Sequence, residues 1–124
     1  MFEPQLRLEH ADSRGEIYSI ELPDGQELML LHSKAGSFRG GHSHSCGEVV
    51  VMLSGLMHYY KQENGHEHKL TLPSGCLSHN RAGQVHMGEF VEDSWVVEYK
   101  LGTRKGEWTQ EDYEPYRAKV RASA

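Results

Sequence analysis

At 124 residues, 37% hydrophobic and 25% charged, the chain has the bulk for one hydrophobic core and falls outside the disordered class; a single domain over 1–124 is expected, with no room for a second. A net charge of −5, with the basic residues scattered rather than striped, excludes a nucleic-acid partner. No apolar run approaches membrane-span length and "MFEPQLRLEH" lacks a basic-then-apolar signal pattern, so a cytoplasmic protein with no membrane partner is expected.

In chain order, "GEIYSIEL" (Gly15–Leu22) reads as a strand, "PDG" as a turn and "QELMLLHS" (Gln26–Ser33) as the returning strand. Asp-Gly between two period-two runs is a hairpin signal because both turn positions take positive φ. "KAGSFRGG" (Lys34–Gly41) reads as a flexible, glycine-rich approach. "EVVVML" (Glu48–Leu53) is β-branched and apolar, as in a strand buried on both faces. "LMHYYKQ" and "EHKLTL" flank Asn64-Gly65 as a second hairpin, and short strands follow near Cys76–Ser78, Val85–Val91 and Ser94–Lys100. The tail from Glu107 is the one helix candidate, with Thr109 as its cap, Asp112 at the capping-box position and Trp108 stapling against Tyr113; Pro115 forbids a long uninterrupted helix there. Short strands at turn-to-turn spacings near ten residues predict an all-β sandwich or barrel, and a barrel encloses a pocket lined by alternate side chains.

Nine histidines are the compositional oddity. His42 and His44, two apart, share one side of a strand, and Glu48 follows across "SCG", short enough for a turn that brings its carboxylate to the same side. Two neutral imidazoles and a carboxylate suit one divalent transition metal of the Fe, Mn, Ni, Zn or Cu group, and His86, past a glycine turn in "RAGQVHMGEF", offers a fourth ligand. His66 and His68 flank the Asn-Gly tip and read as solvated turn residues, and His10 and His79 as surface residues. His32 and His58 lie in strands of open facing. Cys46 reads as a small loop residue, and Cys46 and Cys76 as free thiols.

On these residues the chain resembles the cupins. Their first motif runs Gly, five residues, His-x-His, three or four residues, Glu, six residues, Gly; Gly36, His42, His44, Glu48 and Gly55 occupy it over 36–55. Their second motif runs Gly, five residues, Pro-x-Gly, two residues, His, three residues, Asn. Gly75, Gly83 and His86 match it over 75–90, with Arg81 in place of the proline and Phe90 in place of the asparagine. The resemblance implies a double-stranded β-helix (jelly-roll) barrel, to which the tail reading adds a short C-terminal helical segment. It also implies a three-histidine, one-glutamate metal centre on His42, His44, Glu48 and His86.

Four protein ligands leave room on the ion for water or substrate. The ligand set resembles that of cupin dioxygenases acting on enols and flavonols, and also that of lyases and isomerases of small carboxylates and sugars. "GSFRGGHSH" is similar to the stretch before the histidines in cupins that modify nucleotide-linked sugars. The expectation is therefore a metal-dependent enzyme of a small organic substrate with dioxygenase chemistry. The alternatives are a lyase, an isomerase or epimerase, or a non-catalytic binding module. Val50 and Met52 share the face of Glu48 and would wall the pocket, as would Phe90, on the face of His86, and Tyr99. Either His58 with Tyr60 or Met57 with Tyr59 faces inward; His58 and Tyr60 are the catalytic candidates of the first set. Glu98 is a general base if it points inward, with the outward setting favoured. Arg39 could anchor a carboxylate or phosphate at the mouth, an exposed setting in its glycine loop being the alternative. Cupin barrels commonly pair through sheet edges, so a homodimer is expected.

Overall fold

The computed structural model describes residues 6–124; the first five, which open the stretch read for a signal pattern, lie outside the described residues. The elements in order are β1 (Arg7–Asp12), β2 (Gly15–Glu21), β3 (Glu27–Ser33), β4 (Phe38–His44), β5 (Glu48–Ser54), β6 (Leu56–Glu63), β7 (His66–Pro73), β8 (Leu77–Asn80), β9 (His86–Phe90), β10 (Ser94–Lys100), β11 (Gln110–Asp112) and α1 (Glu114–Ala122). They form two antiparallel sheets, β1-β2-β3-β10-β5-β8 and β11-β4-β9-β6-β7, packed face to face as a jelly-roll barrel. None of the described helices is long and apolar enough to cross a membrane.

Both hairpins form where the turn dipeptides stand. Asn64 and Gly65 both take positive φ, at 51° and 77°, which joins β6 to β7 with Glu63 opposite His66. Asn64→Ala is expected to cost about 1 kcal/mol, because alanine lacks the short polar chain that tolerates this region. A urea titration of the variant against the parent measures it.

The core inside the barrel is Leu31, Val50, Met52, Met57, Tyr59, Leu72, Phe90 and Val96, drawn from both sheets. A second cluster lies on the outer side of β9: Tyr116 and Val120 of α1 cover Met87, with Phe38, Tyr60, Val85 and Tyr113 around them. A helix lacking an apolar partner of its own is stable in this place because the outer face of the sheet supplies one.

Three sequence expectations change. The second half of the Lys34–Gly41 approach is strand: β4 begins at Phe38 and carries a bulge between Gly40 and His42. Arg7–Asp12, not read as a strand, forms the exposed edge β1. In the tail, Thr109 caps nothing; its N–H donates to the Ser45 hydroxyl at 2.8 Å and its carbonyl accepts from the Ser45 N–H. Gln110–Asp112 then pair with β4 as β11, and the helix starts at Glu114 with Pro115 in its first turn. A proline there removes no intrahelical hydrogen bond, so it opens the helix where the sequence suggested a break. The free edge of β4 offers backbone partners that an isolated helical turn cannot match.

Candidate metal centre

His42 and His44 enter from β4, Glu48 from the start of β5 and His86 from the start of β9, with His42 directly opposite His86 across the β4–β9 ladder. Ring nitrogens of the three histidines lie within 4.8 Å of one another, and the ring centroids are 4.6 to 5.2 Å apart. The Glu48 carboxylate, 1% exposed, meets two of the three rings: Oε2 is 3.3 Å from His44 Nε2 and Oε1 is 3.2 Å from His86 Nε2.

The donor set fits a divalent ion. Ligand atoms held about 2.1 Å from one ion are about 3.0–3.4 Å apart, the separations seen between Glu48 and its two histidines. Both ring nitrogens of His44 and Nδ1 of His42 are buried without a well-aligned hydrogen bond among the described residues. Buried polar atoms in native proteins are almost always satisfied, so unpartnered ones in a cluster that offers one ligand nitrogen from each of three rings call for an absent partner. His86 Nδ1 lies 3.0 Å from the Gln84 carbonyl, which accepts the ring proton and leaves the Nε2 lone pair facing the Glu48 carboxylate. Two acceptors that meet in this way are reconciled by a cation.

The electrostatics favour the ligating forms. Burial, helped by His86 and His44, pushes His42 down to about 3, and burial lowers His44 as well, so both rings are neutral near neutrality. Burial opposes the charge of Glu48, but its contacts with His44 and His86 and the Lys100 ammonium, 2.7 Å from Oε2, outweigh it and hold the carboxyl well below the usual range. Asn80, opposite Glu48 on β8, donates to Oε1 at 3.2 Å and to the Tyr59 hydroxyl at 2.8 Å.

The histidines open into a cavity of about 260 Å³ between the sheets. Of the pocket residues read from sequence, Arg39 and Phe90 line it, and so does Glu98. The favoured outward setting of Glu98 is corrected by the β10 ladder. With Val96 facing Leu31 and Met52 inside the barrel, Glu98 points inward and Trp95, Val97 and Tyr99 point outward. Tyr99 is thereby removed from the pocket and lines shallow clefts outside it with Gln26. Val50 and Met52 belong to the packed core and not to the cavity wall, which Val96 and Glu98 of the adjacent strand supply.

His58 and Tyr60 are also corrected. Met57 and Tyr59 are the buried pair of β6, so alternation turns His58 and Tyr60 to the outer face. There the Tyr60 hydroxyl donates to Glu89 at 2.9 Å and His58 Nδ1 lies 3.4 Å from the same carboxylate. His32 is outside too, stacked on Trp95 with its ring 2.9 Å from Glu16. Arg39 is 7% exposed and so belongs to the interior rather than to an exposed loop.

Sequence reasoning missed Asn80, Lys100, Trp108 and Arg117. Lys100 lies above the Trp108 ring at 4.3 Å, and Trp108 sets its edge against His44 at 5.2 Å. The period-two pattern of β10, continued from Val96 through Glu98, would have placed Lys100 inside. No local signal marks the other three.

Enclosure in the cavity, with the negative charge of Glu48 behind it, raises Glu98 from 4.5 to about 7. The folded chain therefore holds this proton more tightly than the unfolded one. The group does not disfavour folding below about pH 4.5, and stability falls as pH rises through about 7. Since Glu98 is half-buried and partly screened, the loss is on the order of 1 kcal/mol. Glu98→Gln removes this titration. Thermal melts of metal-free protein at pH 5.5 and 8 should show a larger fall for the parent than for the variant.

No protein-family model and no curated protein matches the chain. Solved structures do. The capsular polysaccharide assembling protein CapF of Staphylococcus aureus is 18% identical with a TM-score of 0.67, over 83% of this chain and 30% of its own. Oxalate decarboxylase of Bacillus subtilis is 19% identical with a TM-score of 0.63, over 87% and 30%. Vicilin of hazelnut, Corylus avellana, is 15% identical with a TM-score of 0.65, over 88% and 34%. The chain spans about a third of the length of these structures, and at such identities the likeness is one of fold.

Proposed function

We propose that this chain, which has the cupin fold, is a metal-dependent enzyme that acts on a small organic substrate at His42, His44, Glu48 and His86. One observation carries the reading: buried, unpartnered imidazole nitrogens and a carboxylate converge at the wall of an otherwise largely apolar cavity. A bound divalent ion would supply Lewis acidity and, if redox-active, O2 chemistry. The chain's own residues supply the rest. Met57, Phe90, Leu31 and Val96 exclude water from the substrate body. Glu98, poised near neutrality and facing the cavity, accepts a proton from the substrate and returns it. Lys100 holds Glu48 in its charged form.

Dioxygenase chemistry is the favoured reaction. Lyase or isomerase chemistry on a small carboxylate or sugar is the second reading. The inward carboxyl of Glu98 supports it, as does the likeness to oxalate decarboxylase and to a capsular polysaccharide assembling protein. Protein purified without added metal should carry more than about a tenth of an equivalent of transition metal, or take it up on reconstitution. Elemental analysis that finds neither rules out the catalytic metal. Oxygen electrode traces with a panel of enols and diketones separate the two reactions: zinc alone with no oxygen consumed favours the second.

The same proposal includes pairing with a second copy and a cytoplasmic setting. Leu53 and Leu77, exposed on the neighbouring strands β5 and β8 at a sheet edge, support the first, and the free thiols Cys46 and Cys76 the second. Light scattering on the purified chain tests the pairing.

A further inference from the structure

We propose that the cavity takes a small organic carboxylate, its charged end bound by Arg39 and its other end turned to the histidine cluster. The second half of this assignment rests on the reading above; the first half does not.

Arg39 is 93% buried in a cavity it helps to line, yet no carboxylate among the described residues lies within ion-pair distance of it. Two other cations withdrawn from solvent do pair with carboxylates: Arg14 with Asp12 at 2.6 Å, and Lys100 with Glu48 at 2.7 Å. Asp12, which is paired with Arg14, and Glu98 and Glu16 act on Arg39 only at longer range. A desolvated guanidinium without a counter-ion is costly, and a bound anion removes that cost.

The side chain is built to receive one. Nε donates to the Ser33 hydroxyl at 2.6 Å and Nη2 to the His32 carbonyl at 3.2 Å, which fixes the guanidinium plane from the β3 side. The remaining N–H groups of its five carry no hydrogen bond to the described residues, and a planar carboxylate matches such a fork.

The bulge of β4 sets the spacing. Arg39 and His42 are three apart and would fall on opposite faces of a regular strand; the extra residue at Gly40–Gly41 returns both to the inside. Arg39 stands opposite Gly88 and His42 opposite His86, two positions apart on β9, or roughly 7 Å along the strand. Phe90 and Met57 line the cavity beside this span, so the body of the ligand is apolar and short. Arg117, from α1, joins Arg39 and Lys100 as a third cation of the wall, and its Nε is buried without a partner among the described residues.

The test uses two probes of matched shape, 4-oxopentanoate and hexane-2,5-dione, titrated calorimetrically into zinc-loaded and metal-free protein. The parent should bind 4-oxopentanoate at least about tenfold tighter than the dione. Arg39→Met should abolish that preference with its melting transition intact, and Arg39→Lys should weaken 4-oxopentanoate by about tenfold while leaving the dione unchanged. If the Met variant does not fold, the Lys variant decides. Equal affinity of the parent for both probes, no 4-oxopentanoate binding up to about 10 mM, or a preference that survives in a folded Arg39 variant overturns the proposal. Variants that lose thermal stability but keep the preference show a merely structural arginine and overturn it too. A preference kept by metal-free protein that takes up no metal upholds Arg39 while the metal reading fails; metal uptake without any preference does the reverse.

Discussion

His86→Ala is expected to weaken zinc or manganese binding by more than about a hundredfold, whereas His66→Ala leaves it unchanged. Loss of a residue that merely orients a ligand already costs tenfold to a hundredfold, and His86 offers its own nitrogen to the site. Its ring is 3% exposed, stacks with Tyr59 and faces Glu48 at 3.2 Å, so removal also opens a void beside a buried carboxylate. His66 stands exposed at the start of β7, beside the Asn64-Gly65 tip, with no partner cluster. Competition with a chromophoric chelator reads both variants on one scale, and comparable losses in the two would reverse the ranking of the histidines.

Gly55→Ala is expected to destabilise the fold by about 4 kcal/mol, the sum of a strained backbone and an overpacked contact. Gly55 turns the chain between β5 and β6 at φ 94°, and a Cβ there would stand 2.6 Å from the Asp93 carbonyl oxygen and 2.8 Å from Ser94 Cα. Neither backbone atom can yield easily, because Ser94 is buried and its hydroxyl accepts from the Leu56 N–H while donating to the Glu92 carbonyl. The glycine that closes the first motif is therefore required by the close approach of β10. Chemical denaturation measures the loss. Gly65→Ala, where nothing lies within 4 Å of the added carbon, is the milder comparison.

Much of the architecture was legible. The Asn64-Gly65 turn sits where its dipeptide stands, because the φ angles it needs belong to those residues. At Asp24-Gly25 only the glycine takes positive φ, in a longer loop between Glu21 and Glu27, so the hairpin forms without the two-residue turn expected there. The His42–His44–Glu48 spacing survives folding because the turn between β4 and β5 is too short to separate them. The tail was less legible. Its capping pattern is a genuine local signal, but the open edge of β4 and the apolar outer face around Met87 outbid it with contacts that exist only after the barrel has formed.

Facing was the other failure, and it concerned the residues that decide chemistry. On β6 the sequence offers His58 and Tyr60 on one side and Met57 and Tyr59 on the other, with aromatic and polar groups in both sets. Pairing with β7 and β9 chose between them. On β10 the same choice moved Glu98 into the cavity and Tyr99 out.

By itself the sequence determined the strand-and-turn order between the first hairpin and Lys100, the two hairpins and a set of side chains spaced to meet, since all of these depend on local backbone preference and short chain separations. Only the tertiary structure decided which face of each strand looks into the barrel, that a bulge sets Arg39 beside the histidines, that Lys100 and Asn80 hold Glu48, and that Trp108 backs His44. A strand's alternation states which residues share a side. Which side is inside depends on register with partners far along the chain.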